Sequence, residues 1–400
     1  MRRALREGET PHPIYVVWEL TLRCDQPCQH CGSRAGHARP RELSTEECLQ
    51  VVAQLAKMGA MEVTIIGGEA YLRPDVYDIV RAIADSGMSA TMQTGGRALT
   101  ERKAKKFKEA GLRALGVSVD GPEEVHDTLR GNKGSWEAAM RALDAAREVG
   151  LATASNTQIN RLTAPRLPET ADFLRDHGVR YWRAQLTVPM GNAADRPEWI
   201  LEPWRIMEVI DTLAAIQKDA ALNPRPHELP HPQRMFDVQA ANNIGYFGPH
   251  EELLRSRPGG RPAHWGGCNA GVGVMSVESD GTVKACPSLP TGPYTGGNVL
   301  NLPLDTIWEE APELRFARDR DGSELWGFCK TCDYADICHA GCNFTTHCLL
   351  GKRGNNPFCY HRAMMLKRKG IRETLVQVEQ AAGIPYDMGR FEIVEEAWGD

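Results

Sequence analysis

The chain has 400 residues, 42% of them apolar, and a net charge of -5, enough to bury a barrel-sized core beside a smaller unit. The mild acidity provides no broad positive field, which excludes nucleic acid and membrane surfaces as partners. No run reaches the roughly 18 to 20 apolar residues of a membrane span, and MRRALREGETPHP lacks a signal peptide's apolar core. Twelve cysteines in a chain read as cytoplasmic are then reduced thiols rather than disulfide partners.

Between residues 14 and 218, β-branched runs alternate with amphipathic ones. Strands are expected at Ile14 to Leu20, Glu62 to Ile66, Ala90 to Gln93, Ala114 to Val119, Ala152 to Thr157 and Tyr181 to Leu186. Helices are expected to begin near Ser44, Pro74, Thr100, Ser135, Pro168 and Pro203, the first with Ser44 as N-cap and Glu47 three residues later. This pattern fits an open barrel or a doubly wound sheet, and in both the loops after the strands meet on one rim. Cys24, Gly67-Gly68-Glu69, Thr94-Gly95-Gly96 and Asp120-Gly121 follow the first four strands. Asn156 and Gln158, at the end of the fifth, are candidates to touch a cofactor or substrate.

Residues 219–267 are rich in Pro, His, Asn and Gly, as in PRPHELPHP, and read as a bridge that covers the site. From Cys268 the stretch VGVMSVESDGTVKACP alternates around a Ser-Asp-Gly turn, the pattern of a hairpin. Cysteines organise 268–360, and 361–400 form a tail with no recognisable chemistry.

Eleven of the twelve cysteines fall within 24–31 and 268–359. In CDQPCQHC, three thiolates at Cys24, Cys28 and Cys31 can hold three irons of a 4Fe-4S cube and leave the fourth to a non-protein ligand. A zinc site completed by His30 or His37 is the competing reading. Gly67 and Gly68 would allow a close backbone approach to a ligand and offer N–H groups, and Glu69 can accept from an ammonium. Downstream, Cys268 and Cys286, with Gly281 between them, then Cys329, Cys332, Cys338, Cys342 and Cys359, give seven thiols, which suit two iron-sulfur clusters better than two structural zincs. Cys48 reads as core packing, whereas Cys348 is open between packing, ligation and quenching a radical. Trp182 of YWRAQ and Trp265 of HWGG are candidates to line a cavity.

On these motifs residues 14–218 resemble the radical SAM enzymes: CDQPCQHC fits their CxxxCx(aromatic)C rule with His30 in the aromatic place, and GGEAYLRPD fits their GGEP-type motif with Ala70 replacing proline. The resemblance implies a partial (β/α)6 TIM-like barrel in 1–218 and S-adenosylmethionine on the open iron, its ammonium held by Glu69 and the glycine backbone. Ser118 and Asp120 match the strand-four position that meets the ribose, and Arg130 an arginine that reaches the carboxylate; a strand hydrogen bond, a turn cap and a surface pair are their plain alternatives. Residues 268–359 resemble the SPASM iron-sulfur extension, which implies a distal cluster on Cys329, Cys332, Cys338 and Cys359 and a nearer one on Cys268, Cys286 and Cys342. Many members have a further cysteine where Val274 and Met275 stand here, so the nearer cluster has an open iron or is closed by a group such as Cys348 or His264.

Three 4Fe-4S clusters and S-adenosylmethionine are thus the expected cofactors. The resemblance points first to maturation of a ribosomally made precursor peptide, for example by an oxidative crosslink. An external flavodoxin or ferredoxin would supply electrons, and the short lead before the first strand would leave leader recognition to a separate protein or to the barrel and bridge. The alternatives are oxidation or decarboxylation of a small molecule such as a tetrapyrrole or sugar, and a non-enzymatic iron-sulfur electron carrier.

Overall fold

Six parallel strands carry the frame: β1 Tyr15–Glu19, β2 Glu62–Ile66, β3 Ser89–Thr94, β4 Ala114–Ser118, β5 Ala152–Ile159 and β6 Tyr181–Leu186. The computed structural model describes residues 9–228 and 235–399; the end of PRPHELPHP lies outside them. Between the strands run α1 Thr45–Lys57, α2 Val76–Asp85, α3 Glu101–Glu109, α4 Glu123–Arg130, α5 Ser135–Glu148 and α6 Leu167–Asp176, and α7 Ile206–Leu222 follows β6. Ser44 and Glu47 form the reciprocal capping box that starts α1. Helix α4 was not expected from the pattern. Its signals were Pro122 before it and Gly131, left-handed at φ 61°, after it.

The sheet does not stop at the sixth strand. β7 Asp237–Ala240, from the bridge, lies parallel on β6. On the opposite side β8 Val274–Val277 lies parallel on β1, placing Val16 opposite Met275. The expected hairpin continues through β9 Thr282–Lys284 to β10 Thr295–Asn298, both antiparallel. The resulting order is β10-β9-β8-β1-β2-β3-β4-β5-β6-β7. This is an α/β open barrel whose core sheet is mixed, with a C-terminal cysteine-rich region beside it.

Alternation along the strands separates two faces. Leu115, Val117, Trp182, Ala184 and Leu186 are buried beneath the helices, each large apolar side chain contributing about 1.5 to 3 kcal/mol. The other face, partly exposed, carries Gln93, Ser118, Asn156, Gln158, Arg183, Gln185 and Gln239. Trp182 belongs to the first face: its indole N–H donates to Thr157 Oγ1 at 2.8 Å and its ring stacks on Phe236. It is core packing and does not line the cavity.

The tail forms a separate hairpin, β11 Ile371–Glu379 with β12 Arg390–Ala397. Its connecting turn returns to the barrel mouth, where Tyr386 donates its hydroxyl to buried Glu19, Asp387 Oδ1 accepts from Arg34 Nε at 2.7 Å, and the Asp387 carbonyl accepts from Gly191 N–H at 2.8 Å. Among the described residues no helix is long and apolar enough to cross a membrane.

Candidate active site and cysteine fields

The loop after β1 carries Cys24, Cys28 and Cys31, all half-buried. Backbone N–H groups of Gln26 and Ala35 donate to the sulfurs of Cys24 and Cys31, both at 3.4 Å. Arg130 Nη1 points at Cys28 Sγ from 3.7 Å. Burial pushes the Cys24 thiol up to about 12 and the Cys28 thiol to about 11, and the neighbouring thiols add to both rises. Thiolates here are therefore stable only with a cationic partner to share their charge.

Glycines bring the β2 loop against this one. A Cβ on Gly67 would enter the Thr21 carbonyl oxygen, and one on Gly68 the Arg23 carbonyl. The N–H of Gly68 donates to Thr21 O and that of Glu69 to Arg23 O, each at 2.8 Å. These two donors are thus engaged with the cysteine loop and are not offered to a ligand. Gly68→Ala should force the loops apart, costing about 1 to 3 kcal/mol as an overpacked contact and lowering iron loading. Urea unfolding and iron analysis would check this, and an unchanged midpoint would count against the packing argument.

Glu69 is buried, its carboxylate accepting from Thr94 Oγ1 at 2.6 Å and Gly95 N–H at 2.5 Å. Burial raises its pKa to about 7 against the lowering by these two donors. A carboxylate has about four acceptor positions, so capacity remains for an ammonium.

Asp120 and Arg130 are both buried. Asp120 Oδ2 accepts from Arg130 Nε at 2.9 Å and Nη2 at 2.6 Å, its Oδ1 accepts from Gln158 N–H at 2.9 Å, and His30 Nε2 lies 3.4 Å from Oδ2. Burial pushes the Asp120 carboxyl up, but Arg130, His30 and His126 pull it down to about 2. Asp120 thus holds Arg130, with His30 beside it, while Oδ1 keeps one acceptor position beyond the bond from Gln158. Arg130 is no surface pair: it joins Asp120 to Cys28. Ser118 stands half-buried in register with Asn156, whose Nδ2 donates to Gln93 Oε1 at 2.5 Å. Pattern reading missed Gln93, Arg183 and Gln185, although the period-two alternation of YWRAQ placed the last two opposite Trp182.

The downstream thiols form two fields. Cys329, Cys332, Cys338 and Cys359 line one cavity of about 410 Å³ with Tyr246, Phe328, Tyr334 and His361. Trp265 approaches this field, donating from its indole nitrogen to Cys338 O at 3.2 Å. Cys268, Cys286 and Cys342 lie close to one another elsewhere: burial raises the thiols of Cys286 and Cys342, Cys268 adds to both rises, and Cys286 adds to that of Cys342. Tetrahedral zinc takes all its ligands on a single ion position. A cluster differs in placing each thiolate on a separate iron. Buried, mutually repelling thiols and a cavity walled by four of them fit that cofactor.

Residues 18–174 match the family model of the radical SAM superfamily and residues 268–333 that of an iron-sulfur cluster-binding domain, SPASM. The chain is 29% identical to the AdoMet-dependent heme synthase of Methanosarcina barkeri over 88% of its own length and 98% of that protein's. It is 28% identical to the mycofactocin maturase MftC of Mycolicibacterium smegmatis, over 82% and 78% respectively. Its fold is similar to that of Streptococcus suis SuiB bound to S-adenosylmethionine, with a TM-score of 0.64 at 15% identity, covering 88% of this chain and 76% of that one. Barrel, rim and matches together define an enzyme that binds S-adenosylmethionine and performs radical oxidative chemistry. The chain belongs to the radical SAM oxidoreductases that carry a C-terminal SPASM domain.

Proposed function

We propose that this enzyme oxidises a tetrapyrrole, removing a carboxylate side-chain group as carbon dioxide. The observation that carries the reading is the likeness to a heme synthase along nearly the whole of both chains. Supporting it, the partly exposed face of the sheet sets Ser118, Asn156, Arg183 and Gln239 in one register row from β4 to β7, a polar lining with one cation suited to an acidic ligand.

In this reading Cys24, Cys28 and Cys31 hold a 4Fe-4S cluster, Cys268, Cys286 and Cys342 a second, and Cys329, Cys332, Cys338 and Cys359 a third. Glu69 accepts from the methionyl ammonium, with Gly67 and Gly68 shaping the approach; Ser118 and Asn156 meet the nucleoside, and Arg130, held by Asp120, supplies positive charge beside Cys28. When bound, these groups supply the hydrogen-abstracting radical and an acceptor for the electron that oxidative decarboxylation releases. An external donor of flavodoxin or ferredoxin type would reduce the first cluster. Water must be excluded from such a site to protect the radical.

A second reading, modification of a precursor peptide, is favoured by the mycofactocin maturase match. Anaerobic turnover with reductant and S-adenosylmethionine separates the two. We expect an iron coproporphyrin-type substrate to lose carbon dioxide and two hydrogens per reacting side chain, with one 5'-deoxyadenosine formed for each. An unchanged tetrapyrrole alongside a modified peptide encoded next to this gene would transfer the assignment to the second reading.

A further inference from the structure

Arg34, in the cysteine loop, stands at φ 48°, and Tyr386, beside Asp387 in the tail turn, at φ 59°. A residue with a Cβ keeps that left-handed conformation only where its surroundings fix it. Between the two places runs an ion pair whose members are 353 residues apart in sequence: Arg34 Nε donates to Asp387 Oδ1 at 2.7 Å. The two side chains are 13% and 5% exposed, so the pair is largely shielded from water and salt. Asp387 is itself fixed, because its Oδ2 accepts from Gly383 N–H at 2.5 Å and Ile384 N–H at 3.1 Å and so folds the turn around the carboxylate.

From Arg34 the tie continues to the cysteines. Its Nη1 donates to Asn192 Oδ1 at 2.9 Å, and Asn192 donates from its side-chain nitrogen to Cys28 O at 2.8 Å and from its backbone N–H to Cys31 O at 2.9 Å. Gly191, whose N–H donates to Asp387 O at 2.8 Å, packs so closely that a Cβ on it would enter the Cys31 carbonyl. One asparagine therefore holds the carbonyls of both Cys28 and Cys31, and it is oriented by a guanidinium that a tail carboxylate holds. Asp195 also takes Arg34 Nη1, at 2.6 Å, but it is 44% exposed and the weaker anchor. Asp387 lies beyond both stretches that match family models, 18–174 and 268–333.

We propose that Asp387 is a positioning residue for the first cluster: acting through Arg34 and Asn192, it sets how the Cys28–Cys31 segment presents its sulfurs. The proposal rests on the assignment of a cluster to Cys24, Cys28 and Cys31 but not on the substrate class.

The test titrates S-adenosylmethionine against the EPR spectrum of the full chain, reconstituted and reduced without oxygen. In Asp387→Asn the amide oxygen can still accept from the turn, but the amide nitrogen then faces the guanidinium. With iron content and urea midpoint retained, half-saturation should need about tenfold more S-adenosylmethionine, a common loss when the partner behind a metal ligand is removed. Peptides covering residues 25–36 should also exchange their amide hydrogens faster. Arg34→Met should give the same shift. The double variant leaves neither member of the buried pair charged, which guards against misfolding, and it should match either single variant instead of summing them. Arg390→Ala, at an exposed position of the same hairpin, should leave titration and exchange as they are in the unaltered chain. An unchanged titration in Asp387→Asn, a summed loss in the double variant, or an equal loss in Arg390→Ala would overturn the proposal. An unaltered chain whose EPR spectrum does not respond to S-adenosylmethionine would overturn the cluster assignment itself, and the proposal with it.

Discussion

With Cys24, Cys28 and Cys31 all replaced by alanine, the chain is expected to fold, retain about two-thirds of its iron on the downstream thiols, and release no detectable 5'-deoxyadenosine from S-adenosylmethionine. The loop would lose the two long N–H bonds to the Cys24 and Cys31 sulfurs, but most of its ties do not involve the thiols. Cys24 N–H donates to Gly36 O at 3.1 Å, Gln29 N–H to Leu129 O at 2.8 Å, and Asn192 N–H to Cys31 O at 2.9 Å. Arg34 ties the same loop to Asp195 at 2.6 Å and Asp387 at 2.7 Å. Backbone and ion pairs survive the substitution, so stability should change by no more than about 1 kcal/mol. The radical source would be lost outright rather than slowed. Quantifying 5'-deoxyadenosine by mass spectrometry beside iron content checks both halves, and retained cleavage would defeat the assignment of the first cluster.

Arg130→Met should be the most destabilising single change in the barrel, by about 3 to 5 kcal/mol, because it leaves a buried carboxylate without its cation. Asp120 has no exposure and holds Arg130 through two hydrogen bonds. Losing the guanidinium strips Asp120 of its main favourable charge and Cys28 of an N–H donor at once. In the double variant Asp120→Asn with Arg130→Met, neither charge remains, and much of the loss should be recovered. Urea unfolding of the two single variants and the double variant measures that coupling. A cost below about 1 kcal/mol for Arg130→Met, the level of a surface pair, would show that the pair is not what fixes the β4 rim.

The six barrel strands were legible because β-branched runs and their spacing state the strand locally. Trp182 was misjudged for a related reason: face assignment depends on which neighbours carry the polar side chains, and in YWRAQ the alternation puts Arg183 and Gln185 inward and Trp182 under the helices. Gly67 and Gly68 were visible as glycines, yet their role against Thr21 and Arg23 depends on two loops about 45 residues apart meeting at contact distance. Long-range ties were out of reach altogether. Nothing local in IPYDMG announces that Asp387 will take the guanidinium of Arg34, or that Tyr386 will reach Glu19. The hairpin at β8 and β9 was readable from alternation, but not its landing on β1, since parallel pairing leaves no mark in the sequence of either strand.

That landing has a consequence for how the protein can be divided. β1 launches the cysteine loop, and it is flanked by β2 on one side and β8 on the other. A fragment ending before residue 268 would turn the founding strand of the barrel into a raw sheet edge, with YVVWE as an apolar template for pairing with other chains. The SPASM region is therefore not cargo appended to a finished barrel. It caps the strand from which the radical chemistry starts, and the two halves of this enzyme share a fate in folding, in aggregation and under any attempt to trim it to a minimal catalyst.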